Sequence, residues 1–307
     1  MLESATIYII DHVITKNKTM QQIQGVSLKK FLNSELEYLS ISNEYCDAKI
    51  ALQGGQILEF YSKVAQRPLL WLSDLNRFQA GKAIRGGIPL CFPWFGAHAS
   101  QSDFPSHGFA RNLIWQCDHI EHDGTGHHIH LSLNHSENTR KYWDYAFNLQ
   151  MQIHFGKNLE LTFKLQNTDE QRFEFGFAWH SYFSAQTTQA KITGLNGLDY
   201  IDQLDQNKIK QQAEAEITFD AELDRIYLHT AGLFVLHQGN GQSINITSSA
   251  KSAVIWNPWV DKTKRMADMA DEAWRDFVCI ESGQIASAQQ DLKAGESIQF
   301  ELKISSE

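Results

Sequence analysis

An all-β fold, a large antiparallel β-sandwich with few short helices, is the class that this sequence predicts. The main observation is a strict alternation of apolar and polar residues, which gives a strand one apolar and one polar face. Turn-forming residues separate the alternating segments, and apolar residues at helical spacing are scarce. The segments with the clearest alternation are 128–134, 147–155, 159–166 and 297–304.

Turn signals mark the places where the chain should reverse between these strands. They are Asp123-Gly124, Gly156-Lys157-Asn158 and Ala294-Gly295-Glu296. Glycine and asparagine adopt the backbone angles of tight turns at low cost. Short connections of this kind predict that neighbouring strands pair in antiparallel fashion.

Two stretches have apolar residues at helical spacing. The first, 263–277, predicts a short amphipathic helix or a helical loop from Met266, Met269, Ala270, Ala273, Trp274 and Phe277. The second, 27–36, is a weaker helix candidate that rests on Leu28, Phe31, Leu32 and Leu36. Neither is long enough to change the fold class.

The segment 173–183 places a histidine on a strand face opposite a row of aromatic residues. The aromatic face consists of Phe173, Phe175, Phe177 and Trp179. On the other face, His180 follows two small residues, Gly176 and Ala178. Small neighbours leave room for a ligand beside the imidazole. A core histidine hydrogen-bonded to a neighbour is the alternative, and it stays open from this segment alone.

The segment 277–283 is an apolar run that ends in a carboxylate, Glu281. A run of this kind indicates a strand buried on both faces, with Glu281 at or near its mouth. Partial burial would raise the pKa of this carboxyl and suit it to general-base chemistry near neutral pH. A solvated carboxylate at a strand end is the alternative.

Two further segments are unlike ordinary strands. Residues 84–96 contain Arg85 before two adjacent glycines and then two prolines, and residues 107–112 contain His107 and Arg111. Adjacent glycines permit close backbone approach, and an arginine offers planar donors to an anion. Two well-packed loops would also explain these residues, although the combination in one chain favours a binding site.

The length of 307 residues is enough for one large core, and we expect a single domain over 1–307 with 1–24 as a loosely packed N-terminal extension. The net charge of −9 argues against nucleic acid as a partner, since no basic surplus exists. The apolar stretch near the N-terminus is too short to span a membrane. Four cysteines without paired spacing indicate free thiols in a reducing cytoplasm.

The sequence patterns that could indicate a metal or nucleotide site match such sites poorly. His128 and His130 share a strand face, but a third ligand is not indicated nearby, so a solvated face is the preferred interpretation. The acidic residues between 261 and 276 lack the ligand spacing of a calcium loop. Gly86-Gly87 lacks the further glycines of a phosphate-binding or dinucleotide-binding loop.

Taken in order, nine short motifs give the chain a family resemblance that extends over about residues 45–304. They are Gly54-Gly55-Gln56, Leu70-Trp71-Leu72-Ser73, the run 84–96, the run 107–112, Trp179-His180-Ser181-Tyr182-Phe183, Gly194-Leu195 with Tyr200-Ile201-Asp202, Asp224-Arg225-Ile226-Tyr227, Trp256-Asn257-Pro258-Trp259 and Cys279-Ile280-Glu281. In these motifs the chain resembles the aldose 1-epimerase (mutarotase) superfamily, and within it the hexose-6-phosphate mutarotase (glucose-6-phosphate 1-epimerase) branch. The resemblance implies a galactose-mutarotase-like β-sandwich.

The resemblance also implies roles for individual residues. His180 matches the catalytic acid of the family and Glu281 its catalytic base. We expect these two side chains to face one another across a cleft with room for a sugar ring between them. Positions that line the sugar-phosphate pocket correspond to Arg85, His107, Arg111 and Asp224. Ser106 also belongs to the expected binding set, at a position where relatives often have glutamine.

Anomer exchange requires a proton to leave the C1 hydroxyl and another to reach the ring oxygen. A carboxylate and an imidazolium can supply both transfers, and each contributes roughly 10²–10⁴-fold to the rate. The expectation is therefore an isomerase that needs no metal, nucleotide or flavin. Its expected partner is a small sugar phosphate, and no nucleic acid or membrane is expected.

Two other functions stay open at this point. One is a mutarotase for free aldoses such as galactose, because an arginine can also bond sugar hydroxyls. The other is a sugar-phosphate-binding protein without turnover, since the fold does not determine the function. The presence of both His180 and Glu281 favours the enzyme. The oligomeric state is not predicted, although a monomer is favoured.

Overall fold

Antiparallel strands are the main secondary structure in the computed structural model of the protein, which describes residues 23–306. Within that range the strands of the first half are β1 (Val26–Lys30), β2 (Glu37–Ser42), β3 (Cys46–Ala51), β4 (Gln56–Ser62), β5 (Arg67–Pro68), β6 (Leu90–Cys91), β7 (Gln116–Asp123), β8 (Gly126–Asn134), β9 (Phe147–Gly156) and β10 (Leu159–Asn167). Those of the second half are β11 (Phe173–Phe175), β12 (Phe177–Trp179), β13 (Tyr182–Ser184), β14 (Lys191–Thr193), β15 (Asp199–Asp202), β16 (Lys208–Gln211), β17 (Leu223–Tyr227), β18 (Leu233–His237), β19 (Ser243–Ser248), β20 (Ser252–Asn257), β21 (Phe277–Gln284), β22 (Gln290–Leu292) and β23 (Ser297–Ser306).

Helices are few and short in the described range. The α-helices are α1 (Glu137–Arg140) and α2 (Trp259–Thr263), and single 3₁₀ turns occupy Ala110–Asn112, Thr187–Gln189, Ala273–Arg275 and Ala286–Ala288. No helix in residues 23–306 is both long and apolar enough to cross a bilayer. The predicted all-β class with few short helices is confirmed.

The strands form two large sheets and two smaller ones. One large sheet has the order β14-β18-β19-β23-β10-β9-β8-β7, and the other has the order β16-β15-β17-β20-β21-β12-β6, with β13 also paired to β21. A five-stranded sheet runs β1-β2-β3-β4-β5, and β11 pairs with β22. Neighbours in these sheets pair in antiparallel register.

All four alternating segments are strands, as predicted. Strands β8, β9, β10 and β23 contain them, and Phe163 in β10 pairs with Met151 on one side and Phe300 on the other. The apolar residues of β9 and β10 are buried, while their polar neighbours, apart from Asn167 at the end of β10, are exposed or half-buried. One-sided burial is thus the physical reason for the period of two.

The helix predicted over 27–36 is wrong. Residues 26–30 form β1, in which Leu28 pairs with Leu39 of β2. Phe31 stacks on Phe78, whereas Leu32 is 89% exposed, so the apolar residues do not share one buried face. Cross-strand pairing has overridden a weak helical pattern here.

Residues 263–277 form a helical loop, which was one of the two alternatives predicted. Helix α2 ends at Thr263, and a 3₁₀ turn at Ala273–Arg275 precedes β21. Met269 and Trp274 are buried, so the apolar spacing reflects packing of the loop against the sheet.

The two faces of the sheet that contains β21 pack against different clusters. Phe177, Trp179 and Ile280 belong to the main core between the sheets. Ala178, Tyr182 and Cys279 belong to a second buried cluster on the opposite face. His180 and Glu281 belong to this same segment of sheet.

All four cysteines are free and buried. A single domain over the whole chain stays a prediction, and residues 1–22 of the predicted extension lie outside the described range.

Asn257 holds the start of β21 in place. Its side-chain amide donates to the carbonyls of Trp274 and Phe277 at 2.9 and 2.8 Å. We expect Asn257→Ala to lower the free energy of unfolding by about 1–3 kcal/mol, because the two buried carbonyls are then left with a single side-chain donor hydrogen, that of the Thr187 hydroxyl. Denaturant titration checks this, with the exposed Asn138→Ala as the control. Equal stability of the two variants would contradict it.

Candidate active site

His180 lies at a break between two strands. Strand β12 ends at Trp179 and β13 begins at Tyr182, and between them the His180 N–H donates to the carbonyl of Pro89 at 2.9 Å. The imidazole stacks on the Tyr182 ring, with centroids 4.8 Å apart and planes inclined by 6°. Its Nδ1 is buried without a hydrogen-bond partner in the described part of the chain. The ring is therefore fixed in orientation while one nitrogen stays available.

Glu281 lies in the middle of β21 and not at the mouth of an apolar strand, so that prediction is wrong. Strand β21 continues to Gln284 because it is paired on both sides, with β20 on one and with β12 and β13 on the other. Glu281 is 1% exposed, and its Oε2 has no hydrogen-bond partner among residues 23–306. A buried carboxyl with a free oxygen is a candidate for proton transfer.

His180 and Glu281 are in direct contact. His180 Nε2 lies 3.3 Å from Glu281 Oε1. The sequence predicted that these two side chains face one another across a cleft with room for a sugar ring between them, and the distance contradicts this. A sugar would therefore have to lie against the pair and not between its two members.

Burial controls the protonation of this pair. It raises the pKa of Glu281 well above 4.5, the charge of Asp224 adds to the rise, and Arg111 opposes it. It also lowers the pKa of His180 well below 6.5, and nearby cationic groups lower it further. Over the interval between the lowered and raised values, the pair holds one proton in total.

Three basic side chains, those of His107, Arg111 and Arg85, act on the pKa of His180. The His107 ring makes an edge contact with His180 at a centroid distance of 5.7 Å. Burial, with Arg111 and Arg85 in addition, lowers the pKa of His107 to about 3. His107 is therefore neutral near pH 7, and its Nδ1 accepts a hydrogen bond from the Gly96 N–H at 3.2 Å.

Arg85 reaches the pair through Tyr182. Its Nη1 donates to the Tyr182 hydroxyl at 3.0 Å, while Nε and Nη2 lie 3.1 and 3.0 Å from a carboxylate oxygen of Asp268. The backbone after Arg85 makes a close approach to β4, because a Cβ on Gly87 would lie 2.1 Å from the Ile57 carbonyl oxygen. Only glycine fits there, which explains one of the two adjacent glycines.

Among the described residues, Arg111 makes fewer side-chain hydrogen bonds than Arg85. Its Nη2 donates to the Ser106 carbonyl at 2.9 Å, and its Nε is buried without a hydrogen-bond partner in the described range. The Ser106 side chain is exposed, so the structure gives it only a backbone contact to the arginine. Of the two arginines, Arg111 has the more donors left for a ligand.

Asp224 lies in β17, close enough for its charge to act on Glu281. Gln203 donates to one of its oxygens, and Lys262 Nζ lies 3.6 Å from the other. Burial raises the pKa of Asp224, and Lys262 opposes the rise. The same lysine lies over the Trp256 ring, at 5.7 Å from its centroid.

The structure therefore groups the predicted site residues around one buried pair, and it adds others that the sequence reasoning did not assign. Tyr182 and Cys279 could have been found from alternation, because each is two positions from a predicted catalytic residue on the same strand face. Asp268 and Lys262 carried no such signal, since their contacts join distant parts of the chain.

Comparison with known proteins shows similarity over most of the chain. The family model described as aldose 1-epimerase matches residues 37–305. A protein of Salmonella typhimurium named "Putative glucose-6-phosphate 1-epimerase" is 33% identical over 274 residues, covering 88% of this chain and 90% of the relative. A protein of the same name from Escherichia coli is 32% identical over 277 residues, covering 88% and 90%.

A solved structure is similar to this chain over almost its whole length. A crystal structure described as a "putative mutarotase (YeaD)" from Salmonella typhimurium is 31% identical, with a TM-score of 0.86 over 98% of each chain. The stretch matched by the family model contains the buried pair and each of the binding residues predicted around it. The chain therefore belongs to the aldose 1-epimerase family.

Proposed function

We propose that this protein interconverts the α and β anomers of a hexose 6-phosphate such as glucose 6-phosphate. The observation that carries the proposal is the buried contact between His180 and Glu281, with two arginines whose charges act on it. The names of the relatives from Salmonella typhimurium and Escherichia coli support the same activity.

The reaction needs one group to accept a proton and one to donate a proton. In the opening step the carboxylate of Glu281 takes the proton of the C1 hydroxyl, while imidazolium His180 gives one to the ring oxygen. The bond between C1 and the ring oxygen breaks, and the C1–C2 bond of the open aldehyde rotates. Reclosure on the other face reverses both transfers and restores the starting proton count.

The shared proton of the pair suits this exchange. Carboxylate with imidazolium and carboxylic acid with neutral imidazole contain the same number of protons, and a 3.3 Å contact joins them. Burial disfavours the charged members of both groups, so carboxylic acid with neutral imidazole is the favoured resting arrangement, and the transfer of one proton within the pair gives the other arrangement. A pair of this kind can act as base and acid together without exchange with solvent.

Arg111 is our first candidate for phosphate recognition. The protein has a net charge of −9, so a dianionic substrate needs local positive charge at the site. Arg85 already pairs with Asp268, whereas among residues 23–306 Arg111 donates only to a backbone carbonyl. The phosphate would therefore meet Arg111 directly, and Arg85 would contribute by its charge or after losing its contact with Asp268.

Anomer exchange measured by NMR tests the proposed function. Equilibration should be accelerated for glucose 6-phosphate far more than for free glucose or galactose. Faster exchange of the free sugars would favour a mutarotase for free aldoses, and binding without exchange would favour a sugar-phosphate-binding protein. A cytoplasmic monomer without a cofactor stays the accompanying prediction.

The variant Arg111→Ala should raise KM for glucose 6-phosphate more than it lowers kcat. Phosphate contacts lie away from the bonds that change, so their energy is felt equally in the ground state and transition state. Loss of a charge-assisted hydrogen bond of about 1.5–3 kcal/mol corresponds to a decrease in kcat/KM of roughly 10- to 150-fold.

Steady-state kinetics with phosphorylated and free glucose check this prediction. Arg172→Ala is the control, because Arg172 is 75% exposed and pairs only with Asp291 among the described residues. If Arg111→Ala weakens turnover of both sugars equally, Arg111 holds the sugar or the loop and the phosphate assignment fails.

A further inference from the structure

The thiol of Cys279 lies beside the catalytic pair. Cys279 and Glu281 are two positions apart in β21, so their side chains point to the same face of the sheet. One ligand atom from each of His180, Cys279 and Glu281 lies within 4.8 Å of the other two. The reaction proposed above uses only the histidine and the glutamate, which leaves the thiol without a role.

We infer that His180, Cys279 and Glu281 form an inhibitory binding site for Zn²⁺ and similar thiophilic divalent cations. A nitrogen, a thiolate and a carboxylate oxygen are ligand types that zinc accepts, with a fourth position left for water. The thiolate favours zinc, cobalt and cadmium over magnesium or calcium, which prefer oxygen ligands.

The distances fit a tetrahedral ion. Bonds of about 2.0–2.2 Å to nitrogen and oxygen place two ligand atoms of a tetrahedron roughly 3.3–3.5 Å apart. His180 Nε2 and Glu281 Oε1 are already 3.3 Å apart. With a zinc–sulfur bond of about 2.3 Å, the sulfur would lie about 3.6 Å from the other two ligand atoms. It lies within 4.8 Å of a ligand atom of each partner, so the ion would draw the thiolate towards the pair.

The charges also balance. A dication with one thiolate, one carboxylate and a neutral imidazole has no net charge, which favours an ion in a buried place. The thiol proton, together with the proton shared by His180 and Glu281, passes to the buffer when the ion binds. Binding should therefore release protons and become weaker as pH falls.

Zinc binding and anomer exchange require the same lone pairs. The oxygen and nitrogen that would move protons would instead coordinate the ion, so zinc should compete with the sugar. An opening that admits a hexose to the pair also admits a hydrated ion, and this step rests on the proposed function. The binding itself does not, because it can be measured without any substrate.

Cobalt and zinc titrations of the metal-free protein test the inference. Co²⁺ should produce a thiolate-to-cobalt charge-transfer absorption, and Zn²⁺ should abolish it by displacement. Surface histidines such as His119 and His128 contain no sulfur, so they cannot produce this band. Magnesium should neither produce the band nor displace cobalt.

Variants test whether the sulfur of Cys279 is a ligand of the ion. Removal of an outer partner of a metal ligand costs about 10–100-fold in affinity, so loss of the ligand itself in Cys279→Ala should cost at least about 100-fold. Cys117→Ala is the matched control, since Cys117 is also buried but lies in the main core. Should Cys279→Ala fail to fold, Glu281→Gln removes a second ligand and should weaken zinc binding as well.

Two outcomes would overturn the inference. One is a cobalt complex of the wild-type protein without a thiolate band, and the other is unchanged zinc affinity in Cys279→Ala. In kinetic assays, micromolar zinc should slow anomer exchange and a chelator should restore it. Zinc binding without any turnover of sugars would leave the metal site standing and remove the proposed function instead.

Discussion

Glu281→Gln is expected to lower kcat for anomer exchange by at least about two orders of magnitude, because a general base is lost. Glutamine has the size of glutamate and can still donate a hydrogen bond to His180 Nε2, so the contact between the two side chains can be kept. KM should change much less than kcat, since the carboxylate acts mainly in the transition state. NMR exchange rates at saturating glucose 6-phosphate measure the effect.

The stability of the same variant separates a chemical from a structural effect. A raised pKa means that folded Glu281 binds its proton more tightly than the unfolded chain does. Wild-type stability therefore falls as pH rises from the ordinary carboxyl value of 4.5 towards the raised value, and the glutamine variant lacks this loss. Above pH 7, Glu281→Gln should be at least as stable as the wild type.

Glu174→Gln serves as the control, because Glu174 is exposed on the short strand β11. It should change neither turnover nor stability. Full activity in Glu281→Gln would remove this carboxylate from the mechanism. Low activity together with a loss of stability above pH 7 would mean that the glutamate holds the sheet together.

The sheets were predictable where one face meets the core and the other meets water. Strands β9, β10 and β23 have this one-sided burial, and alternation located them to within two residues. Strand β1 was missed because its pairing with β2, not its own pattern, determines its conformation. Local sequence carries no record of a partner strand ten residues away.

The sequence predicted which residues belong to the candidate site, but it did not predict how they are arranged. Residue types and family resemblance identified His180 and Glu281, yet the sequence could not show that β21 is paired on both sides and places the glutamate at its centre. The contact between Arg85 and Asp268 joins positions 183 residues apart. Contacts of that kind depend on topology, and they decide which arginine is free for a phosphate.

His180→Gln is expected to lower kcat by roughly 10²–10⁴-fold, because the group that protonates the ring oxygen is lost. The exposed His119→Gln is the control and should keep full activity. The decreases in kcat caused by Glu281→Gln and His180→Gln should not be additive, since each variant removes one half of the same proton exchange. A double variant should therefore be only slightly slower than either single variant.

The pH profile of His180→Gln provides the sharper test. In the wild type, the active form of the pair holds one proton, so kcat/KM should be level between the lowered pKa of His180 and the raised pKa of Glu281. Without the imidazole, only the carboxylate of Glu281 can still act, as a base. Residual activity should then rise with pH up to the raised pKa of Glu281, across the interval where the wild type is level, and stay high above it, where the wild type declines. A variant with the level wild-type profile would show that His180 does not share the proton, and the imidazole would be left with a role in binding alone.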